Sequence, residues 1–360
     1  MKIGILTFHR AHNYGAVLQC YALQEILKKM GHEVWVINYQ QPIIEKTYSV
    51  FRLEQLLRNV YHLKFYSALE YLRDIANRIK RRNNYVSFRN YYLQMTPTCL
   101  ADNIPSNFDF YVLGSDQIWN SKLTGGVDPV YWGQFHRRKK SKIISYAVST
   151  SLDDFNKVND EFVFNSLKEV NAISVREKSF RDLLSKRYPS FDLKVCLDPT
   201  LVADKDIWNN IISEKYKDKH YVLIYQARPY KHNLSLLHDK AIILAKKYNL
   251  DIVDLSSGSY TPQDFVSLFR YATCVITTSF HAVVFSIIFE RQLYAITLND
   301  GHDSRYVDIL SSLSLEDVIV SPDFIPNLHP IDYSGINGLL DKFKAKSISF
   351  LEENCKLCHK

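Results

Sequence analysis

Residues 3 to 38 constrain the fold more than any other stretch of the chain. Ile3–Phe8 is a largely apolar run that Asn13-Tyr14-Gly15 interrupts, and Val17, Leu18, Tyr21, Leu23, Ile26 and Leu27 then recur at helical spacing. Gly31 ends that helix and Val34–Asn38 gives a second apolar run. Strand, helix and strand in this order make a βαβ unit, whose parallel strands bury both sheet faces. The chain therefore opens as a doubly wound α/β sheet.

The same alternation continues. Strands are predicted at Phe110–Leu113, Lys142–Val148, Ala172–Val175 and Leu193–Leu197, with a helix over Phe155–Val170. Between residues 49 and 92, Leu, Tyr and Ile stand among many Arg and Lys, which predicts two or three amphipathic helices inserted into the first domain. From Asp204 to Lys219 the apolar pattern weakens into a charged helix and loop. A second series then follows, with strands at Tyr221–Tyr225, Asp251–Leu255, Cys274–Thr277 and Leu293–Thr297. Helices are predicted at Leu234–Lys247, at Pro262–Tyr271 and after His281. At 360 residues the chain exceeds what one core usually serves. Two doubly wound domains are expected, 1–210 with the helical insertion and 211–360 with a terminal helix near Gly335–Glu352 that lies on the surface and can return to the first domain. Such sheets bind ligands beyond the carboxyl ends of their strands. Two of them facing each other make a cleft.

Composition excludes several classes. A hydrophobic content of 46% is that of a globular chain. Lys2 runs straight into an apolar strand without an export signal, and apolar stretches such as Ala282–Phe289 fall far short of the ~20 residues that cross a membrane, so a cytoplasmic location is expected. Cys20, Cys196 and Cys274 sit inside apolar patterns, where a reduced thiol behaves as a small hydrophobe. Cys355-Lys356-Leu357-Cys358-His359 spells a haem-attachment pattern or half a zinc site, but it occupies the last residues without a second ligand pair and reads as a frayed tail. The formal net charge of +7 suits an anionic partner. Its basic runs, Arg78–Arg82 and His136–Lys142, fit a membrane surface carrying a lipid-linked acceptor, or more simply a solvated face.

Polar groups that directly follow apolar strands carry the functional reading. Asn13-Tyr14-Gly15 precedes a helix, where backbone N–H groups hold an anion or a sugar hydroxyl. Gly114-Ser115-Asp116-Gln117-Ile118-Trp119-Asn120 combines a carboxylate, two amides and an aromatic ring, suited to a sugar, with Asp116 able to take a hydroxyl proton or merely to cap a turn. Arg176, after Ser174-Val175, is placed to grip a carboxylate or phosphate, or to form a surface pair with Glu177. Thr277-Thr278-Ser279-Phe280-His281 puts hydroxyls and an imidazole at a helix start, and Arg305 is a second candidate anion clamp. The dinucleotide fingerprint, the P-loop, the nucleophile elbow and the common metal-ligand spacings are all absent; Asp204 and Asp206 form a D-x-D only in the charged boundary segment. Metal-independent chemistry is expected.

In order along the chain, Asn13-Tyr14-Gly15-Ala16 with Leu18-Gln19 and Ala22-Leu23-Gln24, then Gly114 to Asn120, Ser145-Tyr146-Ala147, Ser174-Val175-Arg176-Glu177, Asp198-Pro199-Thr200 and Ser279-Phe280-His281 resemble the motifs of polysaccharide pyruvyl transferases. That resemblance covers residues 1 to about 320. It implies a fold like that of the two-domain GT-B glycosyltransferases and transfer of a pyruvyl group from phosphoenolpyruvate to two hydroxyls of a sugar in a capsule or exopolysaccharide precursor. In the matching positions it implies His281 as the essential histidine, Asp116 as the characteristic acidic residue and Arg176 as the donor-binding arginine; from these, His281 is assigned as general acid or phosphate contact, Asp116 as base or acceptor ligand, and Arg176 with Arg305, Ser279 and Thr278 as the donor site. Asn13, Tyr14, Gln117, Trp119 and Asn120 would contact the acceptor. No cofactor beyond the donor substrate, no metal and no nucleic acid are implied; a glycan or lipid-linked oligosaccharide and peripheral membrane association are. Several family members carry Arg-Leu-His where this chain has Ser279-Phe280-His281, so Arg305 or Arg228 would have to supply the missing cation, or another donor or acceptor is used. The rival readings are a GT-B glycosyltransferase using a nucleotide sugar and a non-catalytic carbohydrate-binding protein of the same pathway.

Overall fold

The computed structural model describes residues 1–50, 65–226, 235–256, 260–299 and 303–355. They form two parallel sheets. The first contains β1 (Lys2–Leu6), β2 (Glu33–Val36), β3 (Phe110–Asp116), β4 (Lys142–Val148), β5 (Ala172–Val175) and β6 (Leu193–Val195), in the spatial order β2-β1-β3-β4-β5-β6. The second contains β7 (Tyr221–Tyr225), β8 (Asp251–Asp254), β9 (Cys274–Thr277), β10 (Gln292–Ile296) and β11 (Ile319–Val320), in the order β11-β10-β9-β7-β8. The two-residue β11 is too short to leave a sequence pattern. β4 and β7 are buried along almost their whole length, as parallel strands covered on both faces must be.

Each sheet changes winding direction once. The chain passes from β1 outward to β2, then returns to place β3 on the other side of β1; β7, β8 and β9 repeat the manoeuvre. At such a point the connections leave in opposite directions and open a crevice at the carboxyl ends of the strands. The crevices lie between β1 and β3 in one sheet and between β7 and β9 in the other.

The helix Tyr14–Lys29 joins the two halves. Asn13 caps it, its side chain accepting from the Ala16 N–H at 3.3 Å. Buried residues surround this helix on nearly every side, because it lies against its own sheet and also against the second half. Tyr14 stacks on Phe265 with ring centres 4.6 Å apart, Tyr21 approaches Trp208, and Trp208 meets Phe285 edge-on at 4.9 Å. One hydrophobic cluster therefore runs from Ile3 through Phe265 and Phe285 to Leu351. The terminal helix, Ser334–Asn354, returns to the first sheet as its sequence allowed: Ser347 Oγ accepts from the Leu197 N–H at 2.9 Å, and Phe350 lies beside Tyr146.

Two local expectations change, and a third falls partly outside the described residues. The helix predicted over 155–170 is two, Leu152–Phe155 and Asp160–Lys168, because Asn159 caps the second by accepting from the Phe162 N–H at 2.9 Å. The described part of the insertion is one helix of 28 residues, Phe65–Tyr92; the remainder of the two or three helices predicted over 49–92 falls on 51–64, which lie outside the described residues. Cys355 is packed into the core rather than frayed, whereas Cys358 and His359 lie outside the described residues. Among the described residues no helix is long and apolar enough to cross a membrane.

Candidate active site

The two crevices open into one cavity of ≈ 320 Å³. Asn13 and Gly15 reach it from the end of β1, Asp116 and Gln117 from β3, Tyr225 from β7, and Thr278, Ser279 and His281 from β9. Arg305, on the helix Ser304–Ser312, and Lys122 add positive charge to its wall.

His281 is held from three sides. It occupies the second residue of the helix Phe280–Ile288, its ring is largely buried, and Gly15 of the opposite half lies directly against it. A Cβ added at Gly15 would fall 1.9 Å from His281 Nδ1, so only glycine admits the imidazole here. On the other edge of the ring, Nε2 is 3.7 Å from Asp198 Oδ2, an ion-pair distance rather than a hydrogen bond. Asp198 caps the short helix Pro199–Val202 with Oδ1, which accepts from the Thr200 N–H at 3.0 Å and the Thr200 hydroxyl at 2.7 Å. Its second oxygen accepts from Arg176 and, at 3.4 Å, from the Ser115 hydroxyl, and faces His281. Burial alone would push the Asp198 carboxyl up, but His281, Arg176 and Thr200 together hold it well below the usual carboxylate range.

Arg176 is fully committed inside the protein. Its Nε donates to Glu177 at 2.8 Å, Nη1 to Asp198 at 2.9 Å and Nη2 to the Ser149 hydroxyl at 3.1 Å, while Asp116 lies 3.9 Å from Nη1. Phe280 covers the guanidinium, its ring centre 4.1 Å away. Burial by itself would lower the Arg176 pKa, and the charges of Glu177, Asp198 and Asp116 more than reverse that. A guanidinium with this many partners organises carboxylates around His281; it does not face the central cavity as the expected donor clamp.

Asp116 ends β3 with φ of 73°, a left-handed conformation that aspartate tolerates better than most side chains. The strand ends feeding it are tied together by a buried network. Gln19 donates to Thr7 Oγ1 at 2.8 Å and accepts from the Ser115 N–H at 3.2 Å, the Thr7 hydroxyl donates to the Ser115 carbonyl, and the Ser115 hydroxyl donates to the Ala147 carbonyl at 2.7 Å. Gln117 and Asn120 line the cavity and bond each other at 3.0 Å, and Asn120 also caps the next turn through the Lys122 N–H.

Most of the sequence-selected residues are thus brought together: His281, Asp116, Arg305, Ser279, Thr278, Asn13, Gln117 and Asn120 share one cavity. Besides Arg176, two are placed elsewhere. Tyr14 turns into the junction between the halves, where its hydroxyl donates to the Tyr260 carbonyl at 3.1 Å. Trp119 is 1% exposed, stacks on Trp132 at 4.3 Å and donates its indole N–H to the Tyr131 carbonyl, so it is core rather than a sugar platform. Arg228 lies outside the described residues. The sequence reading gave Asp198 and Gly15 no role beside His281. Asp198 carried a usable signal, a carboxylate just beyond a strand and before Pro199; the role of Gly15 depends on a partner 266 positions away and left none. Among the described residues no group of three or more His, Cys, Asp or Glu could hold a metal ion.

The model of the family described as "Polysaccharide pyruvyl transferase" matches residues 13–300, which include every residue of this constellation except Arg305. The chain belongs to the polysaccharide pyruvyl transferase family. No curated protein matches this pyruvyl transferase family member. Solved structures similar to it include UDP-GlcNAc 2-epimerase from Methanocaldococcus jannaschii, 11% identical over 95% of this chain and 92% of that one with a TM-score of 0.44. UDP-N-acetylglucosamine 2-epimerase from Rickettsia bellii is 10% identical over 98% of each chain, with a TM-score of 0.46. An alpha-glucosyltransferase in complex with UDP is 9% identical over 98% of this chain and 96% of that one, with a TM-score of 0.45.

Proposed function

We propose that this family member transfers the pyruvyl group of phosphoenolpyruvate to two hydroxyls of one sugar in a cell-surface or exopolysaccharide precursor, forming a cyclic ketal and releasing phosphate. The observation that carries this reading is the convergence of His281 and Asp116, one from each sheet, on a single cavity whose wall also bears Arg305 and Lys122. Ketal formation needs such a pair. As the first sugar hydroxyl adds to the substituted vinyl carbon, the terminal methylene gains a proton and becomes a methyl group. The second hydroxyl then displaces phosphate, whose oxygen keeps the electron pair and takes the remaining proton.

In this scheme His281 delivers the proton to the methylene and Asp116 accepts one from the attacking hydroxyl. Asp198 fixes the ring plane of His281, and Arg176 fixes Asp198. Arg305 and Lys122 face the donor's carboxylate and phosphate, supplying charge that Ser279 lacks. Gln117, Asn120 and Asn13 offer amides to the acceptor, a glycan or lipid-linked oligosaccharide presented at the inner face of the membrane.

Calorimetric titration with phosphoenolpyruvate and, separately, with nucleotide sugars tests the reading on the wild type, His281→Ala and Arg305→Ala. Phosphoenolpyruvate is expected to bind the wild type and to weaken roughly tenfold or more in Arg305→Ala. His281→Ala is expected to retain donor binding but lose turnover by about 10²–10⁴-fold. A wild type that binds nucleotide sugars and ignores phosphoenolpyruvate would replace ketal formation with glycosyl transfer.

A further inference from the structure

A second cavity, ≈ 490 Å³ in volume, has no part in the chemistry above. Arg10 enters it from the loop after β1, and Arg82 and Arg89 from the inserted helix Phe65–Tyr92, seven residues apart and hence on one helical face. Glu45, His12 and Tyr48 complete the part of the wall that matters here.

The charge of this wall is not balanced. Among the described residues that line it, three guanidiniums stand against one carboxylate, which leaves two positive charges. Arg10 takes up that carboxylate, directing Nε and Nη2 to Glu45 and Nη1 to Asn38 Oδ1 at 2.7 Å. Arg89 is only 7% exposed; it donates Nη1 to the Arg10 carbonyl at 3.0 Å and has no carboxylate within ion-pair distance among the described residues. Burial and the neighbouring Arg10 pull the Arg89 guanidinium down to about 10, and burial with Arg89 and Arg81 pulls His12 down to about 4, so the imidazole is neutral near pH 7. A basic run of this kind is usually a solvated face. Burial of Arg89 with no carboxylate at ion-pair distance among the described residues distinguishes this one, because a desolvated guanidinium gains most from an oxyanion that can take paired hydrogen bonds.

Position narrows the ligand. Tyr48 lines both this cavity and the central one, so the two share a wall. In phosphoenolpyruvate a single oxygen separates phosphorus from the reacting carbon; a donor whose carbon lies between His281 and Asp116 keeps its phosphate in the central cavity. A ligand with an anion beyond Tyr48 must be longer, as a sugar is when its reacting hydroxyls and its phosphate lie on opposite sides of the ring. We propose that the Arg10–Arg82–Arg89 cavity seats the phosphate or diphosphate of a phosphorylated glycan acceptor. This rests on the ketal-forming reading of the central cavity for the word acceptor, but not for the anion.

Titration of the full chain with inorganic pyrophosphate and with phosphoenolpyruvate, in the wild type, Arg82→Glu and Glu45→Gln, tests the assignment, with thermal unfolding as a check on folding. Arg82 is exposed, and its reversal is expected to leave the fold intact. Pyrophosphate affinity is expected to fall roughly tenfold or more in Arg82→Glu and to rise several-fold in Glu45→Gln, with phosphoenolpyruvate affinity unchanged in both. No binding of pyrophosphate to the wild type, or equal binding to wild type and Arg82→Glu, overturns the anion site. Parallel loss of phosphoenolpyruvate in Arg82→Glu assigns the cavity to the donor instead and overturns the acceptor. If pyrophosphate behaves as expected while phosphoenolpyruvate binds no form of the protein, the anion site stands and the ketal-forming reading falls.

Discussion

Gly15 and His281 meet across the junction of the two halves, and their contact is the tightest constraint on the proposed acid. A methyl group at position 15 would overlap the imidazole at 1.9 Å, so Gly15→Ala must rotate or displace the ring. Misplacement of a reacting group by about 1 Å costs roughly 10²-fold in rate. Gly15→Ala is therefore expected to lose about that much turnover while unfolding near the wild-type midpoint; full activity in the variant would detach His281 from proton transfer in the position described. Asp198 makes a second prediction at this scale, through pH. Its carboxyl titrates below the usual 3.8 in the folded chain, so the ionised form contributes stability above that value and the contribution is lost as pH falls below it. Asp198→Asn removes the dependence. The variant is expected to be less stable near neutral pH by about 3–5 kcal/mol, since Arg176 loses a buried partner, and to lose less further stability on acidification. Urea unfolding at neutral pH and below pH 4 reads both effects.

The turn after β3 shows what strand and helix patterns convey and what they leave out. Apolar periodicity located β4, β5, β7 and β9 to the residue, because a parallel strand buried on both faces is an unbroken apolar run. Polar groups beyond strand ends are expected to face the cleft, and Asp116, Gln117, His281 and Ser279 do line the central cavity. The expectation failed for Trp119 and Tyr14. Both follow strands as Gln117 and Asn13 do, and a period cannot tell which way a side chain turns from an irregular segment. An indole N–H that finds a backbone carbonyl is content in the core, and Trp119 has found the Tyr131 carbonyl. It failed for Arg176 too, since the strand-end position is right but the number of carboxylates folded around it depends on β6 and on Asp116 together. Trp119→Ala is accordingly expected to lower stability by about 3–5 kcal/mol with donor affinity unchanged in the folded fraction. Gln117→Ala removes one hydrogen bond at the cavity wall and is expected to change stability by about 1 kcal/mol, its main effect falling on acceptor affinity. Similar stability in both variants would return Trp119 to the surface of the site.

Two sheets wound around separate switch points would be expected to unfold separately, yet their cores are not separate. The helix Tyr14–Lys29 is buried on its own sheet and, through Tyr14, Phe265 and Trp208, on the second half. The terminal helix, last in sequence, packs Phe350 beside Tyr146 of the first sheet and buries Leu351 completely. Interfaces between domains in one chain are usually polar and permit relative motion. Here the apolar cluster is continuous from Ile3 to Leu351, so cleft geometry and chain stability are linked. The whole chain is expected to unfold in urea in one cooperative transition, with fluorescence and circular dichroism reporting the same midpoint. Leu351→Ala removes a fully buried side chain at the crossing point and is expected to destabilise that single transition by about 2–5 kcal/mol. If the halves instead behave independently, Leu351→Ala will split the curve and shift only one of two midpoints. His281 and Asp116 would then be held opposite each other by the ligand, not by the fold, and donor binding to the free protein should be weak and accompanied by the heat-capacity change of newly buried apolar surface. A single shifted transition with unchanged donor affinity in the folded variant would mean that the core alone preserves their alignment.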